Sequence, residues 1–321
     1  MKRFEAIGHF NDNYVLKIRE KKLGELSSFY ETNKNILAQG MLDAFKNLCI
    51  KAGKLQQEGI KDSIAHICFS LLRIRILEKR HNYRLDAFSD LYYLDKTDCT
   101  VEYDAAWAYK YLDEFMEELE QSRKLYMNKV LKPDIERIMF KEISYYNDYI
   151  VNLARLLIPE AVKLDEYIAL KRQEVVDISV GEYKASSCIV YKEDRRVKNS
   201  GDIKSWLEGK YEYGYRSEIL KDLDLSEGDY EGIDLAYSDF TGSNLTGSSF
   251  KNAQLSGAVL CNTNLEGVNF ENVDLRCCDL RGAILKNVNF NKANLKDAMV
   301  SGSDAQSLAL DQEQRKNIII I

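Results

Sequence analysis

A chain of 321 residues has room for about two domains of ordinary size. With 45% hydrophobic and 30% charged residues it can bury a core, which excludes a disordered or collagen-like chain. Lys plus Arg total 45 against 51 for Asp plus Glu, so the balance is mildly acidic, and no direct nucleic-acid binding is expected. No apolar run reaches the roughly 18 residues of a membrane span, and the start lacks a signal-peptide pattern. The expectation is a cytoplasmic chain with no membrane contact. Seven cysteines, an odd number with no zinc or redox spacing, fit reduced thiols; the adjacent Cys277 and Cys278 read as two ordinary thiols.

Residues 1–171 are read as a helical bundle. Ile60, Ile64, Ile67, Leu71 and Ile74 recur at helical spacing. So do Ala108, Leu112, Phe115, Leu119, Tyr126 and Val130, and then Ile135, Ile138, Met139, Ile143, Ile150, Leu153 and Leu157. Pro133 sits where a first helical turn tolerates it, with Asp134 and Glu136 at the positive end. Pro159 is expected to kink or split the last long helix. About five helices result.

Residues 172–220 read as a bridge. Val175–Val180 and Ser187–Lys192 look like short strands, and Glu193–Gly201 like a charged loop. Tyr211, Tyr213 and Tyr215 alternate as on a strand. Tyr215 and Leu220 already anticipate the pattern that follows, although Glu218 breaks it. This end of the bridge is expected to cap what comes next.

From Leu223 the chain reads in fives. Large apolar residues occupy every fifth position from Leu225 through Tyr230, Leu235 and Phe240 to Leu295 and Val300, sixteen in step. Two residues before each lies a small or modest one, such as Ala253, Ala258, Thr263, Val268 or Cys278. Between them the slot is usually Asp or Asn. Period five fits neither a helix nor a plain strand. Residues two apart point the same way on extended backbone, so the small and large slots face inward and the Asp or Asn slot outward. A turn must follow each triplet, and Gly242, Gly247, Gly257, Gly267 and Gly282 permit it. Every twentieth residue forms a column, and one column is wholly aromatic: Tyr230, Phe250, Phe270, Phe290. A four-sided coil of 20 residues explains this, with four coils over residues 221–303 rising roughly 19 Å at the spacing of stacked strands.

This region resembles the pentapeptide repeat proteins over about 80 residues, Leu223 to about Val300. The resemblance implies a right-handed quadrilateral β-helix, and a C-terminal cap over residues 304–321 with a short helix in Gln306–Arg315. The fold class is thus α+β in two domains, a helical bundle followed by the β-helix. A bare end coil exposes unpaired backbone and apolar groups, which the cap, the apolar tail Ile318–Ile321 or a second copy must cover.

Chemistry-bearing motifs are sparse. His66 and Cys68, two apart on an expected helix, do not share a face. Arg80, His81, Tyr83, Arg84 and Asp86 gather at an expected helix end, as a polar pocket or a solvated connection. The acidic run Asp113–Glu120 spreads over several helix faces. No catalytic, cofactor-binding or metal-ligating residue is assigned, and no cofactor is expected. The repeat region offers one candidate face: outward Val259 and Met299 lie forty residues apart in one column, with Asp279 between them and Tyr237 at the neighbouring corner. A non-enzymatic interaction or scaffold protein is the leading reading, with an unidentified protein partner and self-association as a homodimer. Some pentapeptide repeat proteins are thought to mimic DNA and bind type II topoisomerases. Residues 221–240 hold 7 acidic residues against 1 basic, but 281–300 hold 1 against 4, so the charge is graded rather than uniform. A ligand-binding or enzymatic helical domain, with the repeat rod as its docking module, is the third class.

Overall fold

With no proline before Pro133, the chain opens in one long helical run. α1 covers Arg3–Phe10, a π-turn Asn11–Val15, and α2 Leu16–Gln57. In α2, Met41, Ala44, Phe45, Leu48, Cys49 and Ala52 are all buried, an i, i+3, i+4 stripe facing the core. The helix stops at Gly59, whose φ of 72° lets the Ile60 N–H reach back to the Leu55 carbonyl. The computed structural model describes residues 2–185, 187–211, 214–302, 308 and 310–321. It forms two units, Met1–Tyr191 and Lys192–Ile321.

The first unit is not a helical bundle. The expected helix around Ile60–Ile74 is strand β1, Ile64–Leu71, and Ile60 and Ile74 lie outside it, 55% and 56% exposed. A continuous apolar run buried on both faces belongs to a central strand, and its spacing alone cannot separate the two states. α3 (Arg73–Leu77), β2 (Asn82–Phe88), β3 (Thr100–Asp104) and α4 (Ala106–Arg123) follow. Then come α5 (Lys132–Ala161), α6 (Asp165–Ile168), β4 (Arg172–Glu182) and β5 (Ser187–Asp194). The sheet has the order β3-β2-β1-β4-β5, antiparallel across β3-β2-β1 and parallel between β1 and β4. Ile67, Phe69, Leu85, Ile178 and Val180 share one core with α2, α4 and α5. The two strands read from the bridge are therefore strands of this sheet.

The remaining helical spacings hold except at Tyr126 and Val130, which are buried but lie beyond the end of α4, in a 3-10 turn and the loop before α5. Ala108, Leu112, Phe115 and Leu119 are buried in α4, and Ile135, Met139, Ile143, Ile150 and Leu153 in α5. Pro133 lies in the first turn of α5, and the Asp134 carboxylate takes the Leu131 N–H at 2.8 Å. Pro159 does not split the helix; it falls in the closing turn, where α5 ends two residues later.

In the second unit, α7 (Ser200–Glu208) stands where a charged loop merges into the bridge. Its cap is Asn199, whose side chain accepts the Asp202 N–H at 3.1 Å. Leu207 and Tyr215 join the core of the repeats, and the Tyr215 hydroxyl donates to the Trp206 carbonyl at 2.9 Å. The expected alternation through Tyr213 lies partly outside the described residues.

The repeats form a β-helix rod. Parallel bridges join residues twenty apart without a break, from Ile219–Asp239 to Asp279–Met299. All sixteen large inward residues are buried except Leu285, which packs half-buried against the same core. The aromatic column stacks Tyr230 on Phe250 at 5.0 Å, Phe250 on Phe270 at 5.6 Å, and Phe270 on Phe290 at 5.7 Å. Where the small slot is Ser or Thr, its hydroxyl bonds to the adjacent rung: Ser248 and Thr263 donate to the Leu225 and Phe240 carbonyls, each at 2.9 Å. These buried polar groups are thereby satisfied.

At the far end, β6 (Met299–Val300) pairs in parallel with β7 (Ile319–Ile320), after α8 (Gln312–Asn317). Asp311 caps α8, and the buried Gln314 amide donates to the Phe290 and Ala293 carbonyls at 2.8 and 3.0 Å. End-rung carbonyls thus find donors within the chain. Of the expected cap over 304–321, residues 304–307 and 309 lie outside the described residues, and the described helix runs Gln312–Asn317, starting later than the expected Gln306–Arg315.

Candidate functional site

The bridges stack Val259, Asp279 and Met299 in one column of the rod. Val259 and Met299 are half-buried, with side chains facing outward between inward neighbours. Asp279 is buried at 9% exposure, because Arg281 folds back over it with two bonds of 2.8 and 2.5 Å. The Arg281 guanidinium holds the Asp279 carboxyl below its ordinary value. The centre of this face is therefore a closed ion pair rather than a bare carboxylate. Tyr237 lies at the adjoining corner, over Gly257: a Cβ added there would come within 2.6 Å of its ring. The Arg216 guanidinium sits 5.6 Å from the Tyr237 ring centre.

The column continues beyond the repeats. Met299 pairs with Ile319, 45% exposed, so a third apolar residue extends the face. The signal was present in the spacing, since Ile319 stands twenty positions after Met299, though the intervening residues abandon the five-residue pattern. The other columns carry Asp224, Asn244 and Asn264; Asp229, Ser249, Asn269 and Asn289; and Asp234, Gln254, Asp274 and Asn294, with Ile284 the one apolar member. From Asp239 onward the column of the face runs Asp239, Val259, Asp279, Met299 and Ile319, so three of these five positions are apolar where the other columns have Ile284 alone.

Among the described residues, three of the seven acidic residues in 221–240 form ion pairs. Lys210 meets Asp229 and Arg216 meets Asp234, each at 2.7 Å, and Lys221 meets Asp239 at 2.8 Å. Lys192 meets Glu218 at 2.5 Å. The negative charge of 221–240 is thus offset in part, at Asp229, Asp234 and Asp239.

The remaining sequence candidates separate. Arg84 and Asp86 pair at 2.7 Å, whereas Tyr83, next on β2, points into the core and bonds Tyr109 at 2.8 Å and Asn147 at 2.6 Å. Arg80 and His81 sit at a cavity before β2. His66 and Cys68 do share a face, because β1 is a strand and alternates with period two. His66 lies 3.9 Å from Asp177, and Cys68 contacts Tyr92 and Ser179 at 3.6 Å. Burial pushes the Cys68 thiol up and the His66 ring down, so neither is poised as an activated pair. The acidic run on α4 is tied up one residue at a time: Asp113 to His81, Glu114 to Lys22, Glu117 to Lys79, Glu120 to Arg123. Among the described residues no group of three or more His, Cys, Asp or Glu is arranged to hold a metal. No helix is long and apolar enough to cross a membrane among them. Cys278 faces inward and Cys277 outward, and all seven cysteines are free thiols.

No curated protein matches the chain. Among solved structures, a pentapeptide repeat protein from Nostoc Pcc 7120 is 19% identical with a TM-score of 0.30, covering 37% of this chain and 92% of that one. A pentapeptide repeat protein from the Arabidopsis thaliana thylakoid lumen is 26% identical with a TM-score of 0.21, covering 34% and 81%. QnrB1, a plasmid-mediated fluoroquinolone resistance protein, is 19% identical with a TM-score of 0.21, covering 27% and 50%. Residues 238–276 and 274–306 match the family of pentapeptide repeats in 8 copies. That match identifies the C-terminal region as pentapeptide repeats and leaves the N-terminal unit without a family.

Proposed function

We propose that this chain is a non-enzymatic protein–protein interaction or scaffold protein of the cytoplasm. Its rod, a right-handed quadrilateral β-helix of four coils, presents the face of Val259, Met299 and Ile319, flanked by Tyr237 and the Asp279–Arg281 pair, to a protein partner. The partner is a second copy of the chain, forming a homodimer. One observation carries the reading: a single column places Val259, Met299 and Ile319 at outward positions that are mostly Asp or Asn elsewhere on the rod, with the Arg281-closed Asp279 between Val259 and Met299. Apolar groups fixed on a rigid rod lose little entropy on docking, which favours a contact surface. Seven free thiols fit a reducing compartment. The partly paired acidic rung, and the change to 1 acidic against 4 basic residues in 281–300, count against mimicry of DNA, which needs a continuous negative surface. Sedimentation velocity at several concentrations tests the proposal. The wild type is expected to associate and Val259→Lys/Met299→Lys to remain monomeric; a wild type that stays monomeric at tens of micromolar overturns the dimer.

A further inference from the structure

A cavity of about 340 Å3 opens in the N-terminal unit beside the turn from α3 to β2 and the first residue of α4, Ala106. Arg75, Lys79 and Arg80 line it. Arg75 is held by Glu102 at 2.9 Å. Lys79 and Arg80 lean on Glu117 and Glu78 in pairs whose members are all about half or more exposed. Such pairs are weak in water and yield readily to a better-placed anion. The positive end of the 18-residue α4 also borders the cavity, where Asp104 takes the Ala106 N–H at 2.8 Å and offsets its charge, so the basic side chains supply the field.

The independent sign of a ligand is His81, which also lines the cavity and is only 7% exposed. Its Nε2 lies 2.7 Å from Asp113 Oδ2, and its ring stacks on Tyr109 at 5.7 Å, so the imidazole is fixed in place. Its Nδ1 is buried and has no hydrogen-bond partner. Asp113 borders the adjoining recess rather than this cavity, so Nδ1 is the ring nitrogen His81 has left to offer. An oriented, buried nitrogen without a partner is uncommon and calls for an explanation.

We propose that this cavity binds a phosphoryl group, either free phosphate or the phosphate of a small monoester. The carboxylate of Asp113 accepts the Nε2 proton, and one further proton lies between Nδ1 and a phosphoryl oxygen, whichever of the two carries it. Lys79 and Arg80 serve the remaining oxygens, the geometry and charge that a dianion requires. Glu102 and Asp104, also in the wall, accept hydroxyl donors from the rest of a monoester. The volume suits a phosphorylated sugar rather than a larger ligand.

Isothermal titration of the full chain with inorganic phosphate, ribose 5-phosphate and ribose tests this. Binding of either phosphorylated ligand with none of ribose is the expected result. Tighter binding of ribose 5-phosphate assigns a monoester, and equal affinities assign free phosphate. His81→Gln can keep a donor for Asp113 but places nothing at Nδ1, and should lose about tenfold or more in affinity. His81→Asn, whose amide nitrogen falls near the Nδ1 position, should lose less. Absence of binding at millimolar concentration overturns the proposal, as does a folded His81→Gln that binds like wild type. If His81→Gln does not fold, the exposed pair Lys79→Ala/Arg80→Ala carries the test, and unchanged affinity in that variant is equally fatal.

Discussion

In the rod, every residue's important neighbours stand twenty positions away, so a local pattern dictates the tertiary contact. Phe250 touches Tyr230 and Phe270 because the period places them there. In the N-terminal unit the decisive neighbours follow no rule: His66 of β1 faces Asp177 of β4 across 111 positions. One half of the molecule states its pairing in its composition, and the other settles it only when distant segments meet.

The largest expected effect tests the rod's side of this contrast. Phe270 is fully buried in the aromatic column, so Phe270→Ala should cost about 3–5 kcal/mol in denaturant unfolding. Its outward neighbour Asn269 accepts the Glu271 N–H at 3.1 Å and the Asn289 amide at 2.9 Å, bonds that water can partly replace. Asn269→Ala should cost about 0.5–1.5 kcal/mol. Equal losses at the two sites would falsify the inward and outward assignment.

Acid should expose the less regular unit next. Lys61 and Asp95 form a buried pair at 2.5 Å, and Asp95 also accepts the Ser89 and Thr97 N–H groups at 2.8 and 3.0 Å. Burial alone would raise the Asp95 carboxyl, but the Lys61 and backbone bonds outweigh it and hold it down to about 2, from 3.8. A depressed carboxyl stabilises the fold above its unfolded value, and that contribution fades as pH falls through about 4 to about 2. It amounts to about 2 kcal/mol. Unfolding followed from pH 5 to pH 2 should show this loss in the wild type. Asp95→Asn, already destabilised at pH 5, should have a correspondingly shallower slope; an unchanged slope would mean that this pair does not govern the acid limb.

These contrasts bear on what the sequence made legible. The rod's inward residues, its twenty-residue rise, the column of Val259, Asp279 and Met299, and the buried stripes of α4 and α5 follow from periodicity alone. β1 did not, because a short apolar run satisfies helix and strand spacing alike, and only its pairing with β2 and β4 decides. That error also hid the shared face of His66 and Cys68. α7 escaped because it directly follows a charged stretch and is only nine residues long, so its three apolar contacts, Ile203, Trp206 and Leu207, make too short a periodic run to stand out. Arg281 was missed at the candidate face because a side chain folding back two residues leaves no periodic trace.

A smaller effect probes the corner beside the face. Gly257 has φ of 69°, and a Cβ there meets the Tyr237 ring at 2.6 Å. Gly257→Ala should cost about 1 kcal/mol for the backbone and about 1 kcal/mol more for displacing the ring. In a Tyr237→Ala background only the backbone part should remain. A double-mutant cycle in chemical denaturation measures the difference, and strict additivity would show that the ring moves aside freely.

The smallest effect on stability falls on the extension of the face. The Ile319 backbone is fixed, its N–H donating to the Ala298 carbonyl at 2.8 Å, but its side chain is 45% exposed. Ile319→Lys keeps the backbone bond and lets a long side chain reach water, so unfolding should shift by about 0.5 kcal/mol or less. If the docking face runs from Val259 through Met299 to Ile319, this substitution should still weaken self-association in sedimentation. Its effect should be comparable to that of Val259→Lys, because both place a charge in an apolar contact where it must be desolvated. A variant that associates like wild type while Val259→Lys does not would confine the face to the repeats and leave the tail strand with the single task of closing the last rung.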